Sequence, residues 1–267
     1  MITINQEVCI GCGKCVSDCF PREIKLVDKK AQTRGKRCIE CGHCIAVCPV
    51  NAITLEGYDM DEVLEAKEHN VNLDPETYLN HMKFRRSIRK FKDTAVSKEE
   101  IETILDAGRF SPTGGNMQNV SYTVIMNEID SVKDKIFEEL KAMGEAAKKS
   151  GNPISWYSVL WIKMYEEYKK AGTDRLFFQA PAVIVVSSDS PQSGCLAAAH
   201  METMIYSMGL GMLYSGFSQR AINHSAELRE YLQIKEGYEV QTVLIIGHPD
   251  VSYVRTVPRK KADVIWK

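Results

Sequence analysis

Long apolar runs are missing from this 267-residue sequence. The longest, Ala180 to Val186, falls well below the ~18 residues that a membrane-spanning helix requires. The N-terminal stretch Met1 to Cys9 lacks the basic-then-apolar pattern of an export signal, so a cytoplasmic protein is expected. Excess charge is missing too. The 34 Lys+Arg and 35 Asp+Glu leave a formal net charge of −1, without the positive field that nucleic acid demands. Cysteine is scarce over most of the chain, with Cys195 alone in the 219 residues after Cys48. Hydrophobic content of 44% and charged content of 26% are those of a globular protein.

The other eight cysteines lie between Cys9 and Cys48. Disulfides are one reading, but cytosolic thiols stay reduced, and metal is the better one. Cys9-x2-Cys12-x2-Cys15-x3-Cys19 is followed by Cys38-x2-Cys41-x2-Cys44-x3-Cys48-Pro49, at a constant offset of 29 residues. The aliphatic filler repeats at the same offset: Ile10 with Ile39, Val16 with Ile45, Ile24 with Ile53, Leu26 with Leu55. This is an internal duplication. Zinc ribbons use pairs of C-x2-C knuckles, whereas three successive cysteines at this interval wrap three corners of one iron–sulfur cube. Gly11, Gly13 and Gly42 suit a backbone that turns tightly around it.

The pattern resembles the bacterial two-[4Fe–4S] ferredoxin module, in which the fourth cysteine of each run serves the other cluster. The resemblance implies one ligand set of Cys9, Cys12, Cys15 and Cys48, and another of Cys38, Cys41, Cys44 and Cys19. One departure is Phe20, standing between Cys19 and Pro21. His43 then reads as a solvent-facing filler, and Cys195 as a buried, inert thiol on a small-residue helix. Lys29, Lys30, Arg34, Lys36 and Arg37 read as an exposed hairpin face, with docking of an acidic redox partner as the alternative.

Residues 1–57 therefore form the first expected domain, 58–80 an acidic connector with one short helix, and 81–267 a second domain. There, Ser97-Lys-Glu-Glu100 is a capping box opening a helix over 101–110. Short runs rich in β-branched residues predict strands at 121–126, 182–187 and 241–246. Helical patterns fill 129–150, 155–170, 194–208 and 219–232. Strands separated by helices of this length imply a layered α+β domain. The dinucleotide fingerprint, the phosphate-binding P-loop and the metalloprotease and hydrolase motifs are all absent.

Arg85-Arg86-Ser87-Ile88-Arg89 puts three guanidiniums and a hydroxyl within five residues, enough to hold a phosphate dianion. Ser111-Pro-Thr-Gly-Gly-Asn116-Met-Gln118 follows one helix later, a small-residue loop that a flat ring can approach. Gly209-Leu-Gly211, Ser215-Gly216, Gly247-His-Pro249 and Pro258-Arg-Lys260 complete an ordered set.

Between about Met82 and Trp266 this set resembles the nitroreductase family of FMN flavoproteins. The resemblance implies a nitroreductase-type mixed sheet flanked by helices, in a homodimer whose FMN sites are shared between subunits. It implies FMN phosphate anchors at Arg85, Arg86, Ser87, Arg89 and Arg259. Pro112, Thr113, Gly114 and Asn116 would come from the partner subunit, and backbone amides near Ser215 and Gly216 would face the flavin. Asn119-Val120 stands where relatives often carry Pro-Trp. Tyr157, Trp161 and Tyr165 form one helical stripe, read as core or interface, or as a lid over the flavin.

Two functions fit. One is an oxidoreductase passing electrons from an external donor, NAD(P)H or a reduced ferredoxin, through two [4Fe–4S] clusters and FMN to a small organic acceptor. Nitroaromatics, quinones and activated alkenes are the expected acceptors, with Tyr214 and Ser215 as candidate proton donors. The other is a flavoprotein that relays electrons to a protein partner.

Overall fold

The computed structural model describes residues 1–69, 71–150 and 156–267. By its contacts the chain divides into two units: Met1–Leu73 with Thr113–Met117, and Asp74–Pro112 with Gln118–Lys267.

In the first unit, strands β1 (Ile2–Ile4), β2 (Ile24–Val27), β3 (Lys30–Thr33) and β4 (Ile53–Leu55) accompany two short helices, α1 (Lys14–Asp18) and α2 (His43–Ala46). β1 pairs with β4 and β2 with β3, both antiparallel. The sequence duplication becomes a duplication of backbone. Gly13 and Gly42 precede the two helices with φ of 76° and 73°, and Arg22 and Asn51 follow them with φ of 55° and 52°. Each pair stands 29 residues apart. Ile2, Ile24, Ala31, Ala52, Ile53 and Leu55 are buried together with Cys9, Cys15 and Cys44. Two 3-10 turns, Met60–Glu62 and Ala66–Glu68, come first in the expected connector, and the α-helix that begins within it starts only at Pro75.

The second unit begins at α3 (Pro75–Phe84), where Asp74 caps the first turn and Pro75 takes the first helical position, which needs no amide donor. In α4 (Lys98–Arg109) Ser97 and Glu100 bond reciprocally, as the capping box predicts. A four-stranded sheet follows, in the order β5 (Val120–Ile125), β6 (Ala182–Ser188), β8 (Glu239–Gly247), β7 (Gly211–Tyr214). Every neighbouring pair is antiparallel, and among the described residues the parallel element is a single bridge from Ser87 to Met212.

All of β6 is buried, and its alternation separates two cores. Val183 and Val185 join Val243 and Ile245 against residues of α5 (Ile129–Lys149) and α6 (Trp156–Ala171). Ala182, Ile184 and Val186 join Leu244 and Ile246 against α4 and α7 (Pro191–Ser207). A strand covered on both faces reads as an unbroken apolar run, which is why it was visible in sequence.

Several expectations need correction. The helix predicted over 219–232 is two helices, α8 (Gly216–His224) and α9 (Ala226–Tyr231). Ser225 stands between them in extended backbone and caps α9 through its side chain. β7 was not predicted, because four residues after a glycine pair carry too short a pattern. Cys195 is exposed, not buried. Gly194, Ala197, Ala198, Met201 and Ile205 mark the buried stripe of α7, and Cys195 lies beside it. The expected start of the 155–170 helix, Ser155, lies outside the described residues. Trp161 is buried, packing edge-on against Phe217 with centroids 6.0 Å apart, and Tyr165 donates to Glu138 on α5 at 2.8 Å. Those two residues belong to the packing of α6, while Tyr157 remains half exposed.

Glu23 organises the approach to the second cysteine run. Its carboxylate is buried and accepts from the Thr33 hydroxyl at 2.8 Å and from the Lys36 and Arg37 amides at 3.0 and 2.8 Å. Burial pushes its pKa up, but the bonds from Arg37, Thr33, Lys36 and Gly35 outweigh burial and hold it below the ordinary value. Glu23→Ala should strand these donors at a cost of ~3 kcal/mol. Hydrogen exchange at Lys36 and Arg37 should then rise about 100-fold; Glu23→Gln, which keeps an acceptor, should give an intermediate rise.

Candidate functional site

The eight thiols of the first unit divide into two groups. Cys9, Cys12, Cys15 and Cys48 line one cavity with Ile4, Gly11 and Ala52. Cys19, Cys38, Cys41 and Cys44 line another with Ile2, Glu23 and Ile24. The fourth cysteine of each run therefore crosses to the cavity of the other run. Among the described residues, no three His, Cys, Asp or Glu side chains form a site for a single metal ion.

Amides are already aimed at sulfur. Glu23 N–H donates to Cys19 Sγ at 3.2 Å, and its repeat equivalent, Ala52 N–H, to Cys48 Sγ at 3.3 Å. Ala31 N–H donates to Cys9 Sγ and Glu40 N–H to Cys38 Sγ, both at 3.4 Å. The amides of Ala31 and Gly11 lower the Cys9 pKa, while burial pushes Cys44 up to about 11. A cation beside such a thiol favours its ionised form. His43 is exposed, its Nδ1 3.7 Å from the Asp18 carboxylate, and it lines the second cavity beside Cys44. Of the basic face, Lys29, Arg34, Lys36 and Arg37 are exposed, but Lys30 is committed inward, donating to the Cys9 carbonyl at 2.5 Å.

In the second unit the basic run follows α3 and lies along β7. Ile88 N–H donates to Met212 O at 2.9 Å, and Ser87 bridges the same residue. Ile88 fits there because Gly211 has no side chain; a Cβ would come within 2.5 Å of Ile88 Cγ1. Farther along, Lys92 N–H donates to His248 O at 2.8 Å, tying the run to the end of β8.

The guanidiniums differ in their partners. Arg85 Nη1 lies 3.0 Å from Glu202 Oε1 on α7, with both side chains mostly buried. Arg86 donates through Nη2 to the Lys83 carbonyl, and its buried Nε meets no acceptor among the described residues. A buried donor left without an acceptor is costly, and an anion beside it removes that cost. Arg89 and Arg259 are both exposed, and neither forms an ion pair among the described residues.

Burial raises the Glu202 pKa, and Arg85 counters it. Burial, then the neighbouring Glu202 charge, drive that of Tyr214 up, and the phenol donates to Ala198 O at 3.2 Å. Glu202 escaped the sequence reading. Its signal was there: it is the sole carboxylate of the seventeen-residue α7.

Ser215 is buried, its hydroxyl 2.7 Å from that of Ser218. Its amide donates to Val243 O at 2.8 Å, so it is not available to a ligand, contrary to expectation. Gly216 opens α8, where the helix cannot satisfy its amide, and the space at its missing side chain is clear.

The small-residue loop begins with Ser111, whose hydroxyl lies 2.7 Å from His200 Nδ1. After Pro112, Thr113–Met117 groups with the first unit. Gly114–Asn116 forms a 3-10 turn with Gly115 and Asn116 at φ of 58° and 56°. A side chain at Gly114 would meet nothing nearby. Asn116 Nδ2 donates to the carbonyls of Ile39 and Glu40.

Residues 82–248 match the model of the nitroreductase family, and residues 1–49 that of a 4Fe-4S dicluster domain. The chain is 29% identical over 196 residues to the NADPH-flavin oxidoreductase of Vibrio harveyi, covering 71% of each protein. It is 27% identical over 175 residues to the FMN reductase (NADPH) of Bacillus subtilis, covering 65% of each. A nitroreductase with bound FMN from Bacteroides fragilis superposes with a TM-score of 0.52 at 19% identity, over 70% of this chain and 98% of that one. One from Desulfitobacterium hafniense gives 0.52 at 24% identity, over 70% and 97%. At these identities the two structures establish the fold of the matched region.

The ion pair on α7 is testable by itself. Glu202→Ala leaves Arg85 mostly buried without its counter-charge, which should cost ~2 kcal/mol. A melting temperature lower by about 4–8 °C is expected for a unit of this size, with Glu202→Gln falling less.

Proposed function

Since the chain belongs to the nitroreductase family, we propose that it is an FMN-dependent oxidoreductase fed through two iron–sulfur clusters. The observation that carries this reading is the division of eight thiols around two cavities, in a chain whose remaining length matches an oxidoreductase family. Cys9, Cys12, Cys15 and Cys48 would hold one [4Fe–4S] cluster, and Cys19, Cys38, Cys41 and Cys44 the other. When bound, the clusters supply electrons one at a time, and FMN collects two for delivery as a hydride to a nitroaromatic, quinone or activated alkene.

The chain's own residues do the rest. Arg86, with Ser87, Arg89 and Arg259, would bind the FMN phosphate, Arg86 supplying the buried donor that has no protein acceptor. Arg85 stands in the same run, but Glu202 already neutralises it, so its share is to hold the turn. Gly216 would offer its helix-terminal amide to the ring. Pro112, Thr113 and Gly114 would line the ring of the partner subunit's FMN in a homodimer, whereas Asn116, expected beside them, turns its side chain to the Ile39 and Glu40 carbonyls. The exposed tail supports such a dimer, since Val254, Ile265 and Trp266 are apolar and uncovered in one chain. Tyr214 and Ser215 stand as the two candidate proton donors, the phenol donating to Ala198 O and the Ser215 hydroxyl paired to that of Ser218.

Purified anaerobically, the protein should contain about eight iron and eight sulfide per chain, with one FMN. Cys41→Ala should lose one cluster and Cys195→Ser none. One or two metals per chain, or stoichiometric zinc, would defeat the reading. Reduction followed at flavin and cluster wavelengths with NADH, NADPH and reduced ferredoxin identifies the donor. Lack of turnover with every small acceptor, alongside reduction of a partner protein, would favour the relay instead.

The shared site has its own test. Homodimers of Arg86→Ala and of Gly114→Trp should each bind little FMN. The purified mixed dimer should recover about half the normal content, because one of its two sites combines intact anchors with an intact loop. A folded mixed dimer without flavin would show that each site is built within one chain.

A further inference from the structure

The duplication makes the Cys9–Cys12 and Cys38–Cys41 turns equivalent, yet they are held differently. The first is pressed against the turn between β2 and β3: a Cβ on Gly11 would lie 1.8 Å from the Lys29 carbonyl oxygen. The Lys30 ammonium also anchors the Cys9 carbonyl at 2.5 Å. At the position equivalent to Gly11, the second turn has Glu40, with a side chain and a φ of 54°. A carbonyl cannot approach it in the same way, so this turn needs a different support.

Asn116 supplies it. Its Nδ2 donates to Ile39 O at 3.2 Å and to Glu40 O at 3.0 Å, the two carbonyls between Cys38 and Cys41. The Glu40 amide in turn faces Cys38 Sγ. Asparagine suits the place, because its amide carries two donors on a short stem and its backbone tolerates the left-handed φ of 56° found there. We propose that Asn116 is a positioning residue for the second cysteine set, standing in for the hairpin that buttresses the first, and that its side chain is not a flavin ligand. The inference rests on the iron–sulfur part of the proposed function. It makes the Thr113–Met117 loop mechanically continuous with one ligand set and not with the other.

Anaerobic release of iron to a chelator, measured on the full-length holoprotein, tests this. In Asn116→Leu, half of the iron should leave about tenfold faster and half at the wild-type rate, with FMN content unchanged. Asn116→Asp, which removes both donors at constant size, should behave alike, and Met117→Ala in the same loop should match wild type. The fast half should vanish when Cys41→Ala is combined with Asn116→Leu, and persist with Cys12→Ala. Uniform acceleration of all the iron would overturn the inference alone, as would unchanged release with lost FMN, which would make Asn116 a flavin ligand. A wild-type protein without iron would overturn the underlying reading along with it.

Discussion

Charge held away from water is the constraint on which both units depend. A buried ionised group persists only where donors or counter-charges replace its hydration. The chain meets that demand in two ways. Backbone amides do it for Glu23, and other amides face the sulfurs of Cys9, Cys19, Cys38 and Cys48. Opposite charges do it for Arg85 with Glu202, and for Lys133, whose buried ammonium lies 2.7 Å from Asp130 and 3.6 Å from Asp174. Asp174 is itself satisfied by the Leu176, Phe177 and Gln179 amides. Against this background the Arg86 Nε and the Trp161 Nε1 are buried donors with no acceptor among the described residues.

The sheet of the second unit converts local pattern into placement. Because β6 is covered on both faces, its register with β8 is fixed by two cores at once, from Ala182 opposite Ile246 to Val186 opposite Thr242. β7 adds at the edge, Met212 opposite Ile246, and Ser87 bridges to Met212. The position of the basic run is thus inherited from a core more than 90 residues away in sequence. Substituting Gly211 would disturb that inheritance without touching a charged group, since Ile88 packs where the side chain would stand.

How much of this was legible in the sequence depended on whether the signal was local. The cysteine spacing, the Ser97 capping box and the run over β6 are each written in consecutive residues, and each appeared where expected. The split at Ser225 was hidden because its flanks share one apolar stripe, and only its cap to Leu228 reveals the break. Cys195 was misjudged because a small-residue helix does not say which of its faces is covered. Glu202, Glu23 and Asn116 act across 117, 14 and 77 residues, on Arg85, Arg37 and Ile39. Pairing over such distances leaves no periodic trace, so those roles emerge only from the fold.

Backbone strain separates what the sequence prefers from what the turns require. Left-handed backbone costs a residue with a side chain roughly 1 kcal/mol or more. Yet Arg22 and Asn51, chemically unlike, adopt φ of 55° and 52° at equivalent positions of the two repeats. Gly11 and Glu40 likewise share that region, at 68° and 54°. Asparagine and glycine tolerate it, but arginine and glutamate do not favour it. Both repeats therefore adopt the conformation whether or not the residue suits it, and the demand comes from the geometry of the turn. In each repeat the residue next to the strained one, Glu23 or Ala52, sends its amide to the fourth cysteine. The left-handed turn at Arg22 and at Asn51 stands immediately before the amide that faces the fourth sulfur, so the same geometry serves both repeats despite unlike side chains.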